Sequence, residues 1–177
     1  MVRLGILSDT HGYIDKPIFE FFKDCDLILH AGDFGSNDVA LKLAEFKPLK
    51  AVYGNIDGND LRLDYPLITR FNCEEIDILM THIGGSPGKY SREILDIITK
   101  KPPKLMIAGH SHILKVIYDK KFDFLFINPG SAGLYGFHKV RTAIRLKVEG
   151  EKFSSLEILE IPRNQNSNLK GDNLSCL

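Results

Sequence analysis

Seven side chains of metal-binding types follow short apolar runs in the first 112 residues. They are Asp9, His11, Asp33, Asn55, His82, His110 and His112. Carboxylate, amide and imidazole donors together suit Mn, Zn, Fe, Ni or Co better than Ca or Mg alone. Seven donors exceed the needs of one tetrahedral ion, and they fit two ions about 3.5–4 Å apart, as in two-metal hydrolases. Such a pair needs a bridging carboxylate, and Asp33, in the middle of the series, is the candidate.

The apolar runs before these side chains predict strands that are buried on both faces. The runs span residues 2–7, 27–29, 50–53, 76–80 and 105–108. Strands that share a sheet bring their carboxyl ends to one rim, where ligands gather in open α/β sheets. If the backbone stays extended beyond the strands, residues i and i+2 share a face. We then expect Asp9 to meet His11, and His110 to meet His112.

Helical patterns and further strands surround these runs. Helices are predicted at residues 18–22 after Pro17, at residues 39–46 capped by Asn37 or Asp38, and at residues 90–99. Strands joined by short turns are predicted at residues 116–118, 124–127, 143–148 and 156–161. We therefore expect an α/β fold, a two-sheet sandwich with helices outside, in one domain over residues 1–162. Residues 163–177 are polar and Asn-rich, and are expected to form a loosely ordered tail.

Composition excludes several classes of protein. The 177-residue chain is 44% hydrophobic and carries 23 basic and 23 acidic residues, so broad electrostatic binding of nucleic acid is not expected. A small phosphorylated substrate remains compatible, because a metal centre supplies local positive charge. No apolar run is long enough to cross a membrane, and the N-terminus does not resemble a signal peptide. Three scattered cysteines suggest a reducing compartment, and we expect the cytoplasm.

The order of the motifs resembles the calcineurin-like metallophosphoesterase superfamily. The matching series is Asp9-x-His11, Gly32-Asp33, Gly54-Asn55, His82 and Gly109-His110-x-His112. Residues 128–131, Asn-Pro-Gly-Ser, resemble a loop of its small bacterial and archaeal phosphodiesterase branch. The resemblance implies a four-layer α/β/β/α sandwich of two mixed sheets with flanking helices.

The resemblance also implies a ligand set and a reaction. One metal would be held by Asp9, His11, Asp33 and His112, and the second by Asp33, Asn55, His82 and His110. A water bridging the two ions would attack a small phosphate diester, with Asp33, Asn55 and His82 contributing to catalysis through the metals. Mn is the expected metal, with Ni, Zn, Fe or Co as alternatives.

One position departs from the superfamily pattern. Many members carry a His directly after the Asn, which is thought to protonate the leaving group, whereas this chain has Ile56. No side-chain general acid is identified, although the small phosphodiesterase branch often lacks this His too. Residues expected to support the ligands or to meet substrate are His30, Asp57, Ser131 and His138.

Two other functions compete with that of a phosphoesterase. A eukaryotic relative of this branch, a retromer subunit, resembles the same fold used as a protein-interaction scaffold with little catalysis. Complete ligand positions favour an enzyme, whereas large exposed apolar patches would favour a scaffold. A mononuclear hydrolase of the lactamase type is disfavoured because its HxHxDH signature is absent. If the chain self-associates, a homodimer is expected, since symmetric dimers are the commonest oligomers.

Overall fold

Within residues 1–136 and 138–163, which the computed structural model describes, the chain forms two five-stranded sheets, a two-stranded sheet and four helices. The strands are β1 (Val2–Leu7), β2 (Leu27–Ala31), β3 (Leu49–Val52), β4 (Ile68–Cys73), β5 (Ile76–Thr81), β6 (Gly85–Ser86), β7 (Lys89–Tyr90), β8 (Leu105–Ala108), β9 (Leu114–Asp119), β10 (Phe124–Pro129), β11 (Val140–Glu149) and β12 (Lys152–Pro162). The helices are α1 (Lys16–Phe22), α2 (Asn37–Phe46), α3 (Asn59–Asp64) and α4 (Arg92–Lys100).

The first sheet has the strand order β12-β11-β1-β2-β3. Strands β1, β2 and β3 are parallel, with Leu7 beside His30 and His30 beside Ala51. Strands β11 and β12 are added antiparallel. Because the three parallel strands end level with one another, the loops that carry Asp9, Asp33 and Asn55 emerge at one rim.

The second sheet has the strand order β4-β5-β8-β10-β9. Strands β5, β8 and β10 are parallel, with Thr81 beside Ala108, and the edge strands β4 and β9 are antiparallel to them. His82 follows β5 and His110 follows β8, so these imidazoles leave the second sheet at neighbouring strand ends.

Three clusters of buried apolar side chains hold the layers together. Alternate residues of β8 divide between two of them: Leu105 and Ile107 pack between the sheets, whereas Met106 and Ala108 face the layer of α4. Ile18 of α1 and Leu43 of α2 pack in the cluster outside the first sheet. Each fully buried aliphatic side chain contributes about 1.5–3 kcal/mol to folding. The arrangement confirms the predicted four-layer α/β/β/α sandwich of two mixed sheets.

Helix boundaries differ from the prediction because capping residues were misassigned. Ser36, and not Asn37 or Asp38, is the N-cap of α2. Ser91 caps α4, where its Oγ accepts a hydrogen bond from the Ile94 amide at 3.4 Å. Tyr90, which was assigned to the helix, belongs to β7.

Three elements were not predicted: α3, β4 and the β6–β7 hairpin. Strand β4 is a half-buried edge strand whose sequence mixes Arg70 and Asn72 with apolar residues, so neither a continuous apolar run nor a clean alternation marks it. Most of the predicted tail, residues 164–177, lies outside the described residues, and the boundary at residue 162 stays a prediction. In the described part of the chain, every helix is too short or too polar to cross a membrane.

Candidate metal centre

The loops that follow β1, β2 and β8 turn sharply at the predicted ligands. Five of these residues adopt left-handed backbone conformations, with φ between 49° and 69°: Asp9, His11, Asp33, His110 and His112. The expectation of an extended backbone beyond the strands was therefore wrong. For L-residues this conformation costs about 1–2 kcal/mol each, although Asp and His tolerate it better than most. The turns send His110 and His112 into two different groups of donors.

Backbone hydrogen bonds join the first two ligand loops. The Asp9 amide donates to the Gly32 carbonyl at 3.0 Å, and the His11 amide donates to the Asp33 carbonyl at 3.1 Å. The Gly12 amide continues the series to the Phe34 carbonyl at 2.7 Å. These bonds fix the spacing between the carboxylates of the two loops without using their side chains.

The first donor group consists of Asp9, His11 and His112, whose donor atoms all lie within 4.8 Å of one another. The Nε2 atom of His112 is 3.1 Å from Asp9 Oδ1 and 3.1 Å from His11 Nε2. Asp9 Oδ1 is buried, and it accepts no hydrogen bond from the described residues. Burial lowers the pKa of His11, and the carboxylates of Asp9 and Asp33 only partly oppose this. A neutral His11 has a lone pair available for a ligand.

The second donor group consists of Asp33, His82 and His110, again with donor atoms within 4.8 Å of one another. The Nε2 atom of His82 lies 3.2 Å from Asp33 Oδ2 and 3.1 Å from Asn55 Oδ1, so the predicted amide ligand joins this group. The Nδ1 atom of His82 is 2.8 Å from the Ala31 carbonyl. Nδ1–H therefore donates to that carbonyl, and in the neutral ring the lone pair of Nε2 points toward the two oxygens.

Opposing effects set the pKa values of the His82–Asp33 pair. Burial lowers the pKa of His82, but the hydrogen bond to Asp33 and the charge of Asp9 outweigh it and raise the pKa overall. Burial raises the pKa of Asp33, but its contacts with His82 and with the Ile56 amide lower it overall. A metal cation held by the same carboxylates would compete with the proton for Nε2.

The donor chemistry of both groups fits divalent metal ions. The first group contains a buried carboxylate oxygen that accepts no hydrogen bond from the described residues, and the second contains three converging electron-rich atoms. A cation in each group would stabilise these atoms. All seven predicted ligands lie in or beside these groups. Asp33 falls in the second group, and its role as the bridge between two ions stays a prediction.

Two of the predicted supporting residues hold ligand loops from behind. Buried Asp57 accepts hydrogen bonds from the amides of Gly35, at 2.9 Å, and Gly54, at 2.8 Å, so it joins the loops after β2 and β3. His30 is fully buried; its Nδ1 accepts from the Gly32 amide at 3.2 Å and its Nε2 lies 3.0 Å from Thr10 Oγ1. Burial lowers the pKa of His30 to about 3, so the ring is neutral.

The other two predicted supporting residues differ in exposure: Ser131 is buried, whereas His138 is exposed. The Oγ of Ser131 donates to the Asp9 carbonyl at 3.0 Å, so Ser131 supports a ligand loop. His138 is exposed and borders a cavity of about 150 Å³ that His112 also lines, a position that suits contact with substrate. The side chain of Ile56 is 48% exposed, while its amide donates to Asp33 Oδ1 at 3.1 Å.

Sequence reasoning missed Asn128 as a positioning residue. Its Nδ2 donates to the Gly109 carbonyl at 2.7 Å, and its Oδ1 accepts from the Gly130 amide at 3.0 Å. It therefore ties the end of β10 to the loop that carries His110. The available signal was an Asn directly before Pro-Gly at a strand end, which typically forms hydrogen bonds to its own turn.

Comparisons with known proteins agree with this architecture. Residues 2–151 match the family model of the calcineurin-like phosphoesterase superfamily domain. A probable metallophosphoesterase of Methanothermobacter thermautotrophicus is 27% identical over 157 residues, covering 86% of this chain and 89% of the relative.

Solved structures share the fold at lower identity. Vps29 of Chaetomium thermophilum superposes with a TM-score of 0.75 at 17% identity, covering 94% of this chain and 92% of that one. A structure described as a novel archaeal phosphodiesterase has a TM-score of 0.66 at 23% identity, covering 89% of this chain and 99% of that one. These structures agree with the fold, and the family match over residues 2–151 shows that the chain belongs to the calcineurin-like phosphoesterase superfamily.

Proposed function

We propose that the protein is a dinuclear metal-dependent phosphodiesterase that hydrolyses small phosphate diesters. The observation that carries the proposal is the pair of donor groups, one around Asp9 and one around His82, in each of which carboxylate oxygens and imidazole nitrogens converge to within 4.8 Å of one another. When bound, two divalent ions supply a nucleophilic hydroxide near neutral pH and stabilise the charge on phosphoryl oxygens. Mn is the proposed metal, with Ni, Zn, Fe or Co as alternatives.

The chain's own residues orient the donors. The Ala31 carbonyl holds Nδ1–H of His82, so that Nε2 faces the second ion position. The Ile56 amide holds Asp33 Oδ1 at 3.1 Å, which leaves Oδ2 directed at His82. Buried, preorganised donors of this kind need little rearrangement during the reaction.

The nature of the leaving group limits the choice of substrate. The exposed side chain of Ile56 cannot donate a proton at the position where many superfamily members have His. Esters whose leaving group is a weak base need no acid, because the departing oxygen is stable as an anion. Aryl diesters are therefore expected to be better substrates than alkyl diesters.

The test is hydrolysis of bis-p-nitrophenyl phosphate by chelator-treated protein before and after addition of Mn²⁺ or Ni²⁺. Cleavage that depends on metal supports the proposal. Asp33→Ala should lose both cleavage and bound metal while remaining folded, because it removes a buried carboxylate of the second donor group. Asp38→Ala, on the exposed face of α2, is the matched control and should behave like wild type. Normal activity and metal content in Asp33→Ala would refute the assignment.

A second candidate, a metal-binding scaffold with little catalysis, is favoured by one feature. The edge strand β9 exposes three successive large apolar side chains: Val116 is 38% exposed, Ile117 44% and Tyr118 52%. An edge strand with this composition is suited to pairing with another chain. Tight binding of two ions without cleavage of any diester tested would favour the scaffold over the enzyme.

The proposal also covers the ligand, the oligomeric state and the cellular location of the protein. Its partner is a small phosphate ester, and a homodimer is the oligomer we would look for first by sedimentation. The cytoplasm is the proposed location; buried Cys25 and Cys73, both free thiols, are compatible with a reducing compartment.

A further inference from the structure

A cavity of about 210 Å³ opens directly beside the second donor group. His110 and Gly109 line it on the side of the metal centre, and residues of the β6–β7 hairpin and of the start of β9 line it as well. Phe126 and Asn128 also line it. The volume lies below the range of about 300–1,000 Å³ that is typical of whole-ligand pockets. The cavity therefore suits one part of a substrate whose reacting phosphate lies at the metals.

The charged side chains that line this cavity are positive. Among the described residues that line it, Lys89 from the hairpin and Lys115 from β9 are cationic, and none is acidic. Ile83 and Ile113, each 47% exposed, add apolar surface beside them. Two ammonium groups next to apolar side chains are suited to an anionic group attached to a short carbon framework.

The two lysines are carried by elements that are fastened together. Tyr90, next to Lys89, donates its hydroxyl to Asp119 Oδ2 at 2.6 Å, and Asp119 is the last residue of β9. The Tyr90 ring also packs on Phe124 and Phe126 of β10, with ring centroids 6.1 Å and 6.3 Å away. These contacts of Tyr90 hold the hairpin against the second sheet, so the elements that carry Lys89 and Lys115 are fastened to each other beside the cavity.

We propose that this cavity binds a second phosphate of the substrate, so that the preferred substrates are phosphodiesters bearing an additional phosphate group. The inference rests on the proposed function, since it assigns the reacting diester to the metal centre. Lys89 and Lys115 determine specificity; they bind the remote anion and take no part in bond cleavage.

The test compares thymidine 5′-(p-nitrophenyl phosphate) with the same diester carrying a 3′-phosphate. The leaving group is identical, so only the remote anion differs. The 3′-phosphate should raise kcat/KM about 5-fold, chiefly through KM, as two partly exposed ion pairs would. In Lys89→Met/Lys115→Met this preference should fall to about 1-fold, whereas Lys42→Met, on exposed α2, should retain it.

A binding measurement separates this inference from the proposed function. Calorimetry on metal-loaded protein should show thymidine 3′,5′-bisphosphate binding about 5-fold tighter than thymidine 5′-phosphate, with the difference lost in the double variant. Cleavage of both diesters at equal efficiency, or a preference that survives in the double variant, would overturn the inference and leave the phosphodiesterase intact. If neither diester is cleaved, the proposed function fails, and the calorimetric difference alone decides whether the anion site stands.

Discussion

Gly54 lies so close to Asp33 that a single methyl group there should disrupt the second donor group. A Cβ at residue 54 would lie 2.0 Å from Asp33 Oδ1 and 2.3 Å from the Asp33 backbone nitrogen. Ordinary contact begins at 3.4 Å, so the loops after β2 and β3 would have to separate by about 1 Å. A carboxylate can rotate away, but the backbone nitrogen cannot. In Gly54→Ala the loops therefore move apart or the chain is strained.

The expected cost of Gly54→Ala follows from this geometry. Overpacking of a tightly packed site costs about 1–3 kcal/mol of unfolding free energy. Moving Asp33 also disturbs its contacts with the Ile56 amide, at 3.1 Å, and with His82, at 3.2 Å. Loss of such orienting contacts typically lowers metal affinity about 10–100-fold. The variant should therefore be less stable, retain less metal and hydrolyse bis-p-nitrophenyl phosphate poorly.

The assay has three readouts: urea denaturation, bound metal by mass spectrometry and diester hydrolysis at saturating Mn²⁺. Gly58→Ala is the matched control, because a Cβ there meets nothing within 4 Å and φ is −74°. It should lose at most about 1 kcal/mol as a helix N-cap substitution and should keep its metal. If Gly54→Ala retained wild-type metal affinity and activity, the close approach of these loops would not support the metal centre.

Three further perturbations test other parts of the site. Asp57→Asn exchanges one of the two acceptor oxygens for an NH₂ group that cannot accept a hydrogen bond. The unfolding free energy should therefore fall by about 1–3 kcal/mol, and the variant should retain less metal. An unchanged urea midpoint would contradict this. His30 has a pKa lowered to about 3 in the folded protein, so the unfolded chain binds the extra proton below about pH 6.5. The contribution of His30 to the unfolding free energy should therefore fall by about 1.4 kcal/mol per pH unit as the pH drops from about 6.5 toward 3, so wild type should lose stability more steeply than His30→Asn over this range. Mn²⁺ at 100 times its dissociation constant should raise the unfolding free energy by about 2.7 kcal/mol, and EDTA should reverse the gain; a thermal midpoint insensitive to both would contradict metal binding to the folded state.

The sequence predicted which residues gather at the rim, because strand burial and strand ends are encoded in runs such as residues 105–108. It did not predict how they are presented. The left-handed backbone at Asp9 and His11 is accompanied by backbone hydrogen bonds between loops, which side-chain types do not reveal. For the same reason, the extended-strand argument paired His110 with His112, although they serve different groups.

Residues that act through the backbone were also hard to predict. Asn128 holds the loop of His110 through the Gly109 carbonyl, and the Ala31 carbonyl sets the ring of His82. A carbonyl is present in every residue, so only the packed structure shows which one is used. Strand β4 was missed because this half-buried edge strand has neither a continuous apolar run nor a clean alternation of polar and apolar residues.

The placement of β1 in the middle of the first sheet has a consequence for how the protein is made. β1 pairs with β2 on one side and with β11 on the other, where Val2 lies opposite Val148. During synthesis β1 and β2 emerge early, but the first sheet cannot close until β11 has left the ribosome. The donor groups also draw His82 and His112 from much later segments. The two donor sets are therefore completed late in synthesis, because a nascent chain halted before residue 110 would carry only part of each set.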